Sequence, residues 1–290
     1  MLLLTGATGL LGSAVLRRLT ARGDQVRCLV RDPRRLGSER VRVQLALGDL
    51  SDPASWRHAL RGVKTVVHLA ATERDQPRAT IEEIDGLAAL RLLRAAERAG
   101  AERFLWVLPL GASPHHRSRV YRAKALAEHA VAASNLSTAT FASSLVYAPG
   151  DRRLARIERL TWLPAVPLMG SGGVRLQPIW ADDLADCLVS ALDSRAEGRF
   201  ELAGPDVLSH REVVRLTLRA ARRRRRLLPL PLTVVRPLLR MHETLAGPTA
   251  FATWDEAELL TVPMLTSHGT ADAERLGVRP QRMADVLGTP

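Results

Sequence analysis

The residues with the clearest chemical meaning stand at the start of the chain. Thr5-Gly6-Ala7-Thr8-Gly9-Leu10-Leu11-Gly12 follows an apolar stretch, Met1 to Leu4, and precedes an amphipathic one. Glycines at this spacing let a strand turn tightly into a helix and bring main-chain N–H groups against a diphosphate, an approach that side chains would block. The context places Gly6, Thr8, Gly9, Leu10 and Gly12 against a bound dinucleotide. About 20 residues beyond such a turn, the end of the second strand meets the adenosine ribose. The residues there are Arg31 and Asp32. Asp32 precedes Pro33, which suits the cap of a following helix better than a ribose ligand. That leaves Arg31, with Arg34 and Arg35 close behind, as a guanidinium for a 2′-phosphate, so NADP(H) is the expected dinucleotide and NAD(H) the alternative.

Such a turn needs a sheet and a helix to hold it. Strand-like runs occupy Met1 to Thr5, Val26 to Val30, Val43 to Leu47, Thr65 to Leu69 and Phe104 to Leu108, with helical spacing at Ser13 to Ala21, Pro53 to Arg61, Ile84 to Ala99 and Arg122 to Ala133. Strands apolar on both faces and separated by helices predict a doubly wound parallel α/β sheet, covered on two sides. Asp32-Pro33 and Asp52-Pro53 read as helix starts, and Gly62 and Gly100 as helix stops. Past residue 148 the chain becomes richer in Pro and Gly, so a dinucleotide-binding core is expected over 1–148. A smaller C-terminal lobe, interleaved with the last strands of the sheet, is expected over 149–290. Within it Ser209-His210-Arg211-Glu212 is a capping box, opening a helix expected to end in the run Arg222 to Arg226.

Composition narrows the partners. Lys+Arg number 42 against 30 acidic residues, for a formal charge of +12, and the only lysines are Lys64 and Lys124. A field of that sign favours anionic partners. Arg222 to Arg226, followed by the apolar Leu227 to Val235, could rest on an anionic membrane surface or dock against an acidic subunit. Nucleic acid is disfavoured, because no interleaved aromatics or recognition motif accompany the charge. A metal site is not expected, since His115-His116 lacks a ligand partner at helical spacing. Cys28 and Cys187 sit in apolar runs, which fits a reducing, cytoplasmic setting. No apolar stretch approaches the roughly 20 residues that span a bilayer.

These residues resemble the extended and atypical branches of the short-chain dehydrogenase/reductase superfamily, whose turn reads T-G-x-x-G-x-x-G. Gly48-Asp49-Leu50 is similar to the loop whose aspartate contacts adenine, and Val67-His68-Leu69-Ala70-Ala71 to the segment lying along the cofactor, which implies contacts from Asp49, Leu50, Ala70 and Ala71. Tyr147 to Asp151 and Gln177 to Ala185 look like later signature segments. Arg31-Asp32-Pro33 and the closing Leu276 to Pro280 resemble the NmrA-like branch, near the nucleotide-binding accessory subunit of respiratory complex I. Catalysis in the superfamily uses a Tyr-x-x-x-Lys pair. Lys124 matches the lysine and implies a contact to the cofactor ribose, but Val120 stands where the tyrosine belongs. Tyr121 is displaced by one residue, a rotation of about 100°. Leu108-Pro109 replaces the usual serine pair. The resemblance thus implies a catalytically silent protein holding NADP(H) as a structural or redox-sensing ligand, within a larger assembly. The alternative is an NADPH-dependent oxidoreductase or isomerase acting on a small carbonyl or quinone-like substrate, with Lys124, water or Tyr121 as proton source.

Overall fold

The computed structural model describes residues 1–77 and 79–289. Seven strands, β1 (Leu2–Thr5), β2 (Val26–Val30), β3 (Gln44–Leu47), β4 (Thr65–His68), β5 (Arg103–Pro109), β6 (Ser137–Ser143) and β7 (Gly198–Leu202), form one sheet in the order 7-6-5-4-1-2-3. Every neighbouring pair is parallel. The helices that matter below are α1 (Leu10–Ala21), α2 (Pro53–Trp56), α3 (Ala88–Arg98), α4 (Arg119–Ala132), α5 (Arg152–Arg159), α6 (Ala181–Asp193), α7 (His210–Ala220) and α8 (Leu232–Ala246).

Both faces of the sheet are buried because adjacent strand residues point to opposite sides and both are apolar. Leu4, Val67 and Leu105 face a core built with α1 and α6, containing Val15, Leu19, Leu184 and Leu188. Their neighbours Leu3, Val66 and Phe104 face a second core with Trp56, Leu92 and Val131. The strand order reverses between β1 and β4, which opens a crevice at the carboxyl ends of those two strands, where ligands bind in sheets of this kind. The expected doubly wound parallel sheet is present, and β7 completes it from within the C-terminal part of the chain. A third core packs Ile81, Tyr121 and Tyr147 against Leu154, Val213 and Met264 of the C-terminal part.

Several local expectations are corrected. The helix opened by the Ser209–Glu212 capping box stops at Ala220, before the arginine run. Arg222 takes φ 53°, and the amides of Arg222 and Arg223 turn back to the carbonyls of Arg219 and Leu218, a left-handed helix end. Arg226–Leu230 then becomes a strand, parallel to Ala165–Met169. Asp32 caps as expected, accepting from the Arg34 amide, but it opens a 3-10 segment kinked at Gly37 rather than an α-helix. The third long helix begins with a π turn, Glu82–Leu87, ahead of α3.

Candidate functional site

The glycine turn is stereochemically fixed. Gly6 has φ 75°, and a Cβ there would lie 2.5 Å from the Ala70 nitrogen and the Leu69 carbonyl carbon. A Cβ on Gly12 would lie 2.0 Å from the Gly6 carbonyl oxygen. Gly9 differs, because its added Cβ meets only the Gly6 oxygen, at 3.2 Å, and otherwise open space. Gly9 caps α1 without a side-chain hydrogen bond, and no acidic residue stands in the first turn. The first amides of α1 have no intrahelical partner, and the helix dipole adds positive potential there. An uncapped helix start beside a backbone that only glycine can form fits the diphosphate of a dinucleotide. Thr8 and Leu10 lie on this turn, as their spacing implied.

On the adenosine side, Arg31 follows β2 and is more than half exposed, its Nη1 4.0 Å from Asp49 Oδ2. The other oxygen of Asp49 accepts from the Ser51 amide at 3.0 Å and hydroxyl at 2.9 Å, which holds the Gly48–Leu50 loop in place. Arg35 lines a groove of about 200 Å³ with Ala7, Ser13, Arg17 and Glu39, beside the glycine turn. The structure therefore brings Arg31 and Asp49 together beyond the ends of β2 and β3.

Across the switch point, β1 and β4 are tied by a 2.7 Å hydrogen bond between Thr5 Oγ1 and His68 Nδ1. Burial holds the His68 imidazole down to about 3, helped by the positive charge of Lys124, so the ring is neutral and structural. The backbone of Leu69 and Ala70 then passes beside Gly6, and the Thr72 amide donates to Asp85 Oδ2 at 3.1 Å.

Asp85 is the site residue that sequence reasoning missed. It is completely buried, and its Oδ1 lies 3.0 Å from Lys124 Nζ, which is only 3% exposed. The same ammonium sits 4.6 Å from the centroid of the Trp106 ring. Burial pushes the Asp85 carboxyl up, against the pull of Lys124. A signal was available: Asp85 interrupts the apolar register Ile81, Ala88, Leu92, all buried. A carboxylate in that register needs a partner.

Tyr121 is fully buried, stacks on His116 with ring centroids 4.4 Å apart, and burial pushes its phenol well above the usual range. Its hydroxyl has no hydrogen-bond partner among the described residues, and neither has the buried Ser118 hydroxyl one turn earlier. Val120 and Leu108, at the positions of the missing tyrosine and serine, are buried in apolar surroundings.

Residues 6–142 match the family described as NAD(P)H-binding. The chain is 27% identical over 303 residues to the mitochondrial NADH dehydrogenase [ubiquinone] 1 alpha subcomplex subunit 9 of Arabidopsis thaliana, covering 96% of this chain and 74% of that one. It is 29% identical over 202 residues to the ceramide reductase of Caulobacter vibrioides, covering 69% of this chain and 63% of the relative. The fold matches the NADPH complex of the NADPH-dependent quinone oxidoreductase QOR2 of Escherichia coli with a TM-score of 0.75, at 17% identity and 99% coverage of both chains. Gly6, Gly9 and Gly12 at the head of α1, the reversal between β1 and β4 and these matches together make residues 6–142 similar to NAD(P)H-binding domains, on a doubly wound parallel sheet of the Rossmann type.

Proposed function

We propose that the protein binds NADP(H) as a structural or redox-sensing ligand, without reducing carbonyl substrates, and does so as a member of a larger assembly in the manner of the NmrA-like branch. The observation that carries this reading is the buried pair between Lys124 and Asp85, 3.0 Å apart. In the superfamily a lysine lowers the pKa of a neighbouring phenol so that the phenol can exchange a proton with substrate. Here Asp85 compensates the lysine charge, while the phenol of Tyr121 is raised by burial rather than lowered. Leu108 and Pro109 offer no hydroxyl to a substrate oxygen.

The dinucleotide, when bound, supplies hydride chemistry. The amides at Gly9 to Gly12 would hold its diphosphate, Arg31 its 2′-phosphate, and the backbone at Ala70 and Ala71 would lie along it. The relative that is a subunit of NADH dehydrogenase supports a place in an assembly.

A second reading, turnover of a small carbonyl or quinone-like substrate, is favoured by the unpartnered hydroxyls of Ser118, the residue before α4, and of Tyr121 in its first turn, and by the relative that is a reductase. Titrating the protein with NADPH, then adding a panel of carbonyls and quinones, separates the two. The first reading expects saturable binding and no substrate-dependent loss of NADPH absorbance, and such a loss would overturn it. If turnover is found, an unchanged rate in Tyr121→Phe removes that phenol from the mechanism. Charged hydrogen bonds contribute about 1.5–3 kcal/mol. Arg31→Ala is therefore expected to weaken NADPH about 10- to 100-fold with little change for NADH; equal losses for both would remove the 2′-phosphate contact.

A further inference from the structure

A second feature of the C-terminal part lies outside the residues assigned to the dinucleotide. Parallel pairing of Arg226–Leu230 with Ala165–Met169 sets Arg226 opposite Ala165, so the residues leading into the two strands run side by side. Arg225 Nε fixes this arrangement by donating to the Thr161 carbonyl at 2.9 Å. The result is an open depression of about 500 Å³ lined by Trp162, Leu163, Pro164, Arg224, Arg225 and Arg226. Trp162 is 91% exposed, the extreme opposite of Trp56 and Trp106, which are fully buried. A tryptophan held in water costs hydrophobic free energy unless something covers it.

The segment that follows continues the pattern. Of α8 only Val235 is buried. Val234, Leu238, Met241 and Leu245 recur at i, i+4, i+7 and i+11 and are all exposed, Leu245 at 81%. From Arg222 to Ala246 there are seven arginines (222 to 226, 236 and 240) and one carboxylate, Glu243, which accepts from the Trp254 amide. Arg222 to Arg226 are all exposed, and none is in an ion pair among the described residues.

We propose that this surface is a peripheral docking site for an anionic phospholipid membrane, with Arg222–Arg226 at the headgroup phosphates and Trp162, Leu163 and the apolar stripe of α8 entering the interfacial layer. Charge complementarity and the apolar stripe select this occupant together. Nucleic acid would take the arginines but leave Trp162 and α8 in water, whereas a membrane surface takes both, since tryptophan and leucine favour the boundary between headgroups and acyl chains. No helix among the described residues is long and apolar enough to cross a bilayer, so the contact is on the surface. The inference is independent of the dinucleotide reading.

The test is cosedimentation of the full chain with vesicles of phosphatidylcholine alone and of phosphatidylcholine mixed with phosphatidylglycerol. Association is expected only with the anionic vesicles and is expected to weaken with salt. Each arginine near such a surface contributes about fivefold, so Arg224→Gln/Arg225→Gln/Arg226→Gln should lose about 100-fold. Leu238→Ser/Leu245→Ser should lose about tenfold or more. A blue shift of intrinsic fluorescence on vesicle binding should disappear in Trp162→Phe. All these positions are exposed, so an unchanged thermal midpoint shows that the variants are folded. No binding to anionic vesicles at low salt, undiminished binding of either multiple variant, or an absent Trp162 signal would overturn the proposal. So would capture on heparin or an acidic polypeptide without vesicle binding.

Discussion

Lys124 and Asp85 form a pair whose members are each costly alone. With both side chains almost wholly out of water, removing one leaves an uncompensated charge in a low-dielectric interior. Lys124→Met or Asp85→Leu alone is expected to cost about 3–5 kcal/mol in denaturant unfolding, and the double variant should recover most of that loss. Additive losses would show that the two charges are not coupled. The Lys124 half of this pair was visible in the sequence, because a chain that uses arginine nearly everywhere keeps only two lysines. The Asp85 half was missed among the neighbouring carboxylates Glu82 and Glu83, although only Asp85 falls in the buried register of Ile81, Ala88 and Leu92. The glycine turn was fully legible for the opposite reason. Its constraints are local, and the Cβ contacts of Gly6 and Gly12 are imposed within the turn and by the strand beside it.

At the scale of elements, the sheet was readable because its strands are apolar on both faces, and the start of α7 from its capping box, whereas α5, α8 and the strand between α7 and α8 were not. The arginine run was read as a helix end and Leu227 to Val235 as an apolar surface segment, so no strand was expected at Arg226–Leu230. That pair nevertheless forms a separate two-stranded sheet, whose open edge leaves room for a proline that cannot donate a ladder hydrogen bond. The lobe is fastened by charge instead. The helix α9 (Trp254–Leu259) opens with a capping box from Thr253 and Glu256. Arg74 from the loop after β4 and Arg156 from α5 converge on the Glu256 carboxylate at 2.7 and 3.0 Å. Burial raises this carboxyl, but hydrogen bonds from both arginines outweigh burial and hold it below the usual range. In Glu256→Gln the two guanidinium groups lose their common counter-charge. Amide exchange over residues 72–76 and 254–259 is expected to quicken about 10- to 100-fold, with α1 and α6 unchanged. Uniform acceleration through the sheet would mean that the network supports the whole fold rather than the seam.

For the molecule as a whole, the same burial that makes two histidines structural sets a limit in acid. His68 ends β4 with its ring stacked on Trp106, held down to about 3, and His210 opens α7 in the C-terminal part, held down to about 4, in both cases first by desolvation. The unfolded chain takes up a proton on each near 6.5 while the folded chain does not, so stability falls as pH is lowered from 6.5 toward 4. The slope is about 1.4 kcal/mol per pH unit for each ring. Over two units the pair removes roughly 5 kcal/mol, comparable to the whole stability of many domains. Glu82, held at about 2 by Arg119, adds in the same direction at lower pH. Asp85, Asp183 and Asp255, raised mainly by burial, oppose it, because the folded state keeps their protons longer. Between pH 6.5 and 5 the unfolded chain takes up the two histidine protons, and the three raised carboxyls temper the resulting loss wherever only the folded chain keeps their protons. Thermal midpoints measured from pH 7 to 5 should therefore fall steeply in the native sequence. His68→Gln/His210→Gln should start lower, for want of the Thr5 bond, yet vary much less over that range. Parallel slopes would show that other groups set the acid limit.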